Sequence, residues 1–97
     1  MRVEYHPFTT SDLNRAVAHY NSQQAGLGDE LRTEVYASIE RVLANPRQFN
    51  VVSRSIRRCL VHRFPYAVLF RIVSADTLRV LVIRHHRRHP DFGLRRR

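Results

Sequence analysis

The chain of 97 residues carries 17 basic residues, all of them arginines, and eight acids, which gives a formal net charge of +9. A hydrophobic fraction of 43% excludes wholesale disorder, and a single cysteine, Cys59, excludes an internal disulfide. No stretch approaches the ~20 apolar residues of a membrane span, so we expect one domain over residues 1–97, located in the cytoplasm and without a membrane partner.

The first part of the chain predicts a short strand and then a helix. Residues 2–6 alternate apolar and polar side chains and end before Pro7, a pattern typical of a strand. The hydroxyls of residues 9–11 favour a helix that starts just before Asp12. This helix would run to about residue 24, with an apolar stripe formed by Leu13, Ala16, Val17 and Tyr20.

A second helix is predicted after Gly26, a residue that tolerates the left-handed conformation at a helix end. Asp29 and Glu30 suit the positive N-terminal end of that helix, and Asn45-Pro46 ends it because the residue before a proline avoids helical geometry. A short link between two helices predicts an antiparallel hairpin. The apolar stripe of the second helix consists of Leu27, Leu31, Val35, Ile39, Val42 and Leu43.

After a polar stretch, the pattern changes to strands. The segments 56–64, 66–73 and 78–84 are rich in branched and aromatic residues and are joined by short links, which predicts an antiparallel meander. Alternation places Val80 and Val82 on one face of the last strand, and on one face of the middle strand it places Tyr66, Val68, Phe70 and Ile72. With the helical hairpin covering the apolar face, the fold class is α+β, a two-layer domain of order β-α-α-β-β-β.

Charge divides the chain near residue 40. Residues 1–40 hold three arginines and six acids, whereas residues 41–97 hold 14 arginines and two acids. The early acids look like solvated helix positions, and the later arginines alternate with apolar strand residues. We therefore predict that Arg79 and the other strand arginines form one basic sheet surface for an anionic partner, either nucleic acid or an acidic protein. The residues predicted to bind the target or its phosphates are Arg57, Arg58, Arg63, Arg71, Arg84 and Arg87.

Three histidines, His85, His86 and His89, lie among arginines after the last strand. Two interpretations stay open: a cationic groove in which His86 or His89 acts as acid or base, or a basic strand end that only binds or is solvated. Neighbouring arginines repel a cation, so no metal is predicted. The chain has no hydrolase motif or phosphate-cradling glycine loop, and no cofactor is predicted. Cys59, Tyr66 and Phe70 are predicted to be buried, with base stacking as the alternative for Tyr66 and Phe70.

In chain order, several local signatures resemble the RelE/ParE superfamily of toxins from bacterial type II toxin–antitoxin systems. The resemblance covers almost the whole chain and implies a small α/β toxin that an acidic antitoxin holds inactive by folding around it. The signatures are Asp12-Leu13, Gly26-Leu27-Gly28, Asn45-Pro46, Ile56-Arg57-Arg58, Arg63-Phe64-Pro65-Tyr66 and His86-x-Arg88-x-Pro90-x-Phe92.

Two targets occur in this superfamily: one branch cleaves messenger RNA on the ribosome, and another poisons DNA gyrase without nuclease activity. Ribosome-dependent members tend to have an arginine directly after the tyrosine of the middle strand, where this chain has Ala67. They also tend to have a C-terminal tyrosine, where Phe92 has no hydroxyl to transfer a proton, although His86 matches a nearby basic position. The resemblance therefore favours the ParE-like branch, with gyrase as the target.

Two alternatives remain. In a ribosome-dependent endoribonuclease, His86 and Arg88 would be catalytic, and Arg58, Arg63 and Arg88 would hold the scissile phosphate and offset its developing charge. The chain could instead be a basic nucleic-acid-binding module without toxicity, marked by affinity that depends steeply on salt.

Overall fold

Two helices pack against one face of a five-stranded sheet in the computed structural model, which describes residues 1–97. The sheet order is β1-β5-β4-β3-β2, with β1 parallel to β5 and every other pair antiparallel. The predicted α+β order is confirmed, with one short strand added before the meander. The elements are β1 (Arg2–Tyr5), α1 (Pro7–Gln23), α2 (Leu27–Ala44), a 3₁₀ turn (Pro46–Gln48), β2 (Val51–Ser53), β3 (Ile56–Leu60), β4 (Tyr66–Ser74) and β5 (Thr77–His85).

Helix α1 begins at Pro7, earlier than the predicted start just before Asp12. Proline suits the first helical position, and the Nδ1 of His6 accepts a hydrogen bond from the Phe8 N–H at 3.1 Å, so His6 is the N-cap. The predicted N-cap in residues 9–11 is wrong. The Thr9 hydroxyl is buried and donates instead to β5, where the carbonyl oxygens of Val80 and Leu81 lie 3.2 and 3.0 Å away; this contact fastens α1 to the sheet.

The main core lies between the helices and the sheet. Cys59, Tyr66 and Phe70 belong to it, as predicted. The helices approach closely at Gly28, where a Cβ atom would lie 2.1 Å from the Val17 carbonyl oxygen. The other buried members are Leu13, Ala16, Val17, Leu31, Val35, Ile39, Val42, Val61, Phe64, Val68, Leu78, Val80 and Ile83.

A second apolar cluster lies on the opposite face of the sheet, which we call the outer face. The C-terminal segment, residues 86–97, covers this cluster with Phe92 and Leu94. The register of β4 with β5 shifts between Leu69 and Phe70, which places Val80 in the main core and Val82 in the second cluster. The prediction that these two valines share a face is therefore wrong, because a β-bulge reverses the alternation. The cluster consists of Ile56, Ala67, Leu69, Leu81 and Val82.

Neither helix has the length and apolar character needed to cross a bilayer.

Candidate target-binding face

Four of the strand arginines lie on the outer face. Residues paired directly across an antiparallel ladder share a face, and Arg58, Arg71 and Arg84 pair with Leu69, Ile56 and Ala67 of the second cluster. The fourth, Arg79, pairs with Arg71 and donates to Glu4 of β1 at 2.9 Å. The predicted basic sheet surface therefore exists, with three of its arginines free of acidic partners in the sheet.

Arg57 and Arg63 lie elsewhere. Arg57 pairs with Phe70 on the helix side and donates to the Phe49 carbonyl at 2.7 Å. Arg63, in the loop after β3, has a left-handed φ of 71° and forms ion pairs with Glu30 at 3.0 Å and Glu34 at 3.8 Å. The prediction of one coherent surface is wrong for these two arginines, because the pleat turns Arg57 to the other face and the loop turns Arg63 toward α2.

One cleft on the outer face brings His86 and Arg88 together with arginines of the sheet. We call it the His86 cleft; its volume is about 390 Å³. Arg87 is exposed and does not line it. The lining contains no carboxylate, hydroxyl or thiol and consists of Arg58, Leu60, Ala67, Arg84, His86, Arg88 and Pro90.

Backbone hydrogen bonds at the end of β5 position this cleft. The His86 N–H donates to the Pro65 carbonyl at 2.9 Å, and the Arg88 N–H donates to the His85 carbonyl at 3.0 Å. The Arg88 guanidinium carbon lies 4.4 Å from the centroid of the Phe92 ring, a cation–π contact that orients the arginine. Phe92 thus contributes to packing at the position where a tyrosine would offer a hydroxyl.

The charge of the cleft is concentrated on closely spaced guanidinium groups. Burial, followed by the charge of Arg58, lowers the pKa of Arg84, and Asp91 opposes this shift. Arg84 also donates to the carbonyls of Pro90 at 2.6 Å and Phe92 at 3.3 Å, so it holds the C-terminal segment in place. Arg58 and Arg88 have no ion-pair partner and can receive a carboxylate or phosphate.

Only one histidine of the predicted trio lines the His86 cleft. The Nδ1 of His85 accepts from the Arg87 N–H at 2.9 Å, and the Nδ1 of His89 accepts from the Asp91 N–H at 3.1 Å, so both histidines stabilise local turns. Burial, and then the charges of His86, Arg87 and His19, lower the pKa of His85. No three histidine, cysteine or acidic side chains are grouped so that they could share a metal ion.

Sequence reasoning missed the ion pair that anchors the C-terminal segment. Arg96 donates to the Asp12 carboxylate at 2.5 Å and 3.3 Å and to the Leu81 carbonyl at 3.0 Å. The two side chains are 13% and 3% exposed, so the interpretation of the early acids as surface positions is wrong for Asp12. The pair joins residues 84 positions apart, and no local pattern signals it.

The fold and its outer face define a small two-layer α+β protein with a basic sheet surface. The family model described as ParE toxin of type II toxin–antitoxin system, parDE, matches residues 3–90. The chain therefore belongs to the ParE toxin family, which confirms the ParE-like resemblance of its sequence signatures.

Comparison with solved structures supports the same fold. The chain is similar to one from the chromosomal ParDE toxin–antitoxin system of P. aeruginosa, with a TM-score of 0.77 and 15% sequence identity. The match covers 88% of this chain and 95% of the other. No curated protein sequence matches the chain.

Proposed function

We propose that this ParE-type toxin arrests growth by binding DNA gyrase through the His86 cleft and stabilising gyrase-cleaved DNA. The observation that carries the proposal is the chemistry of the cleft lining, which offers guanidinium donors but only one imidazole, that of His86, as an acid or base. Arginine forks match carboxylates and phosphates. The cleft is therefore better equipped to bind an acidic target than to transfer protons.

Acid–base cleavage of RNA requires one group to take the proton of the attacking hydroxyl and another to protonate the leaving oxygen. His86 can serve as one of these groups. Tyr66 on the neighbouring strand β4 has a hydroxyl, but this residue lies in the main core on the helix side. Burial is the first cause of the raised pKa of Tyr66. Ala67 lines the cleft and Phe92 flanks it, and neither side chain can transfer a proton. No second proton-transfer group therefore lies beside His86.

We further propose an acidic antitoxin as the partner that holds the toxin inactive. A net charge of +9 favours an acidic partner. Aromatic side chains at the junction of β1 with the helices supply an apolar anchor: Tyr5, Phe8 and Tyr36 are 43%, 61% and 48% exposed. Tyr5 and Tyr36 also line a groove of about 130 Å³ together with Arg32. A segment with acidic and apolar residues that folds on binding would bury these rings and neutralise the arginine.

A ribosome-dependent endoribonuclease is the second candidate, favoured by the meeting of His86 with Arg58, Arg84 and Arg88 in one cleft. In that reaction the arginines would hold the scissile phosphate, and His86 would act as acid or base.

The gyrase proposal is tested with purified toxin, purified gyrase and supercoiled plasmid, by trapping the cleaved DNA with detergent. Wild-type protein should accumulate linear DNA, and Arg58→Ala and Arg88→Ala should each reduce it about tenfold or more, the loss expected when a charged hydrogen bond to a target is removed. Arg47→Ala is the matched control, because Arg47 is exposed, lies in the 3₁₀ turn and does not line the His86 cleft. Absence of trapped DNA at every toxin concentration would reject the proposal.

His86→Ala separates the two candidates. A gyrase-binding toxin keeps most of its growth arrest without the imidazole, whereas a nuclease loses messenger cleavage in a reconstituted translation system. Co-expression with an adjacent short reading frame that has an acidic C-terminal half should relieve the arrest. If His86→Ala and Arg88→Ala both abolish ribosome-dependent cleavage, the nuclease is the correct function.

A further inference from the structure

A second cleft on the outer face lies beside the His86 cleft along β3. We call it the terminal cleft; its volume is about 540 Å³. Ile56 lines the terminal cleft, whereas Arg58 and Leu60, two and four residues further along β3, line the His86 cleft. The lining comes from the β2–β3 hairpin, β4 and the C-terminal segment. It consists of Ser53, Arg54, Ser55, Ile56, Arg71, Asp91, Leu94, Arg95, Arg96 and Arg97.

Four arginines of the terminal cleft are uncommitted. Arg54, Arg71, Arg95 and Arg97 take part in none of the ion pairs of the protein. The fifth arginine, Arg96, is neutralised by Asp12. Asp91 is the one acid in the lining, and it is exposed, with its carboxylate 3.8 Å from the His89 ring nitrogen. The cleft therefore carries a surplus of positive charge that the folded chain does not offset.

We infer that the terminal cleft binds the phosphate backbone of duplex DNA. Duplex DNA carries one negative charge per ~1.7 Å of axis, and each arginine that contacts a phosphate releases condensed counterions. The serine hydroxyls beside Arg54 add donors of the kind that commonly contact phosphate oxygens.

The lining chemistry favours duplex DNA over a protein segment or a single strand. A protein segment that orders on binding needs apolar burial to offset its lost entropy. The cleft offers little apolar surface for this, because only two lining residues are apolar and one of them, Ile56, is already buried, with 4% of its surface exposed. No aromatic ring lines the cleft, so it lacks the stacking platform typical of single-strand binding. Backbone contacts of this kind are independent of base sequence.

The site is distinct from the His86 cleft, and its test requires no gyrase. Fluorescence anisotropy of a labelled 20-base-pair duplex measures the affinity of the full-length protein at 50 and 200 mM salt. Four phosphate contacts predict that affinity falls about 150-fold between these salt concentrations. The Arg71→Ala/Arg97→Ala variant, which retains two of the contacts, should show a fall of about 12-fold.

The Arg2→Ala/Arg47→Ala variant is the matched control, because it loses the same charge at two exposed positions outside the cleft. It should retain the wild-type salt dependence. Should Arg71→Ala fail to fold by circular dichroism, the exposed pair Arg54→Ala/Arg95→Ala is expected to give the same reduction.

Three results would overturn the inference: no duplex binding at 50 mM salt, an equal reduction in the control variant, or tighter binding of a polyglutamate peptide than of the duplex. A toxin that binds duplex DNA through these arginines but traps no gyrase-cleaved DNA would reject the proposed function and leave this site in place. A toxin that traps gyrase-cleaved DNA but does not bind duplex DNA through these arginines would reject this site and leave the proposed function in place.

Discussion

The two faces of the sheet use arginine in different ways. On the helix side, Arg63 is held by Glu30 and Glu34, and Arg57 donates to backbone carbonyls. On the outer face, Arg58 and Arg71 have no acidic partner. The residue type is the same, so strand register and loop path decide whether an arginine stabilises the fold or remains available to a target.

The outer face carries apolar residues as well as arginines. A second apolar cluster lies beneath the C-terminal segment, and Phe92 and Leu94 cover it. Arg96 lies within cation–π range of Phe8 and Phe92 and binds Asp12, so this one arginine of the outer face is committed to structure. The uncommitted arginines are consequently held on a folded segment rather than on a loose tail.

The largest expected effect on stability comes from the buried ion pair. Asp12→Ala leaves the Arg96 guanidinium, which is 13% exposed, without its partner, and this should lower the free energy of unfolding by about 3 to 5 kcal/mol. Arg15→Ala removes the other partner of the same carboxylate, but Arg15 is 66% exposed, so its loss should cost less than about 1 kcal/mol. Urea denaturation measures both; equal losses would show that the Arg96 contact is no more important than an exposed pair.

Gly93→Ala tests how closely the C-terminal segment packs on the outer face. Gly93 has a φ of 83°, and a Cβ atom there would lie 2.7 Å from the Val82 side chain. We expect a loss of about 2 to 4 kcal/mol, which combines the left-handed backbone with overpacking. Gly26→Ala is the control, because Gly26 has a φ of 85° in open space and should cost only about 1 kcal/mol. Similar thermal shifts for the two variants would contradict the close packing.

Acid should weaken the N-terminal cap of α1. Burial is the first cause of the lowered pKa of His6; Arg96 and Arg79 lower it further, and Asp12 opposes them. The imidazole of His6 is therefore protonated more readily in the unfolded chain than in the folded protein. The contribution of neutral His6 to the free energy of unfolding is complete above its ordinary pKa of about 6.5 and is lost as the pH falls through the lower pKa of the folded state.

The cap is worth about 1 kcal/mol. His6→Asn, which caps without titrating, should remove that part of the decline in stability between about pH 7 and 5. The decline due to His85, whose pKa is lowered in the same direction, should remain. Parallel pH profiles for wild type and variant would rule out His6 as a source of the decline.

The smallest effect is expected on the helix side. Arg63 is 55% exposed in its pair with Glu30, so Arg63→Ala should change the free energy of unfolding by less than about 1 kcal/mol. A loss of several kcal/mol in urea denaturation would contradict this expectation and show that the ion pair stabilises the fold more than an exposed pair does.

Much of the fold could be predicted because its signals are local. The apolar stripes of the helices and the breaks at Gly26 and Asn45-Pro46 define the hairpin, which the structure has as α1 and α2. The start of α1 was missed because His6 and Pro7 form the cap while the hydroxyl of Thr9 faces β5. Strand β2 has three residues and an exposed side, too short for alternation to be recognised.

The candidate site was harder to predict because it depends on contacts between distant residues. Alternation alone would put Arg84 on the face of Val80, and the bulge that moves Val82 and Arg84 to the outer face arises in a run that is apolar on both faces. The Asp12–Arg96 pair joins residues near opposite ends of the chain. The terminal cleft joins residues of the β2–β3 hairpin, β4 and the C-terminal segment. Such contacts leave no periodic signal in the sequence.

The most direct test of the contrast between the two faces compares growth arrest by Arg58→Ala and Arg63→Ala, two variants with the same loss of charge. Both are expressed at matched levels from an inducible promoter, and cells are counted after induction. If the uncommitted arginines of the outer face bind the target, Arg58→Ala relieves the arrest and Arg63→Ala arrests growth as the wild type does. Full arrest by Arg58→Ala, or relief by Arg63→Ala alone, would contradict the proposed role of the outer face.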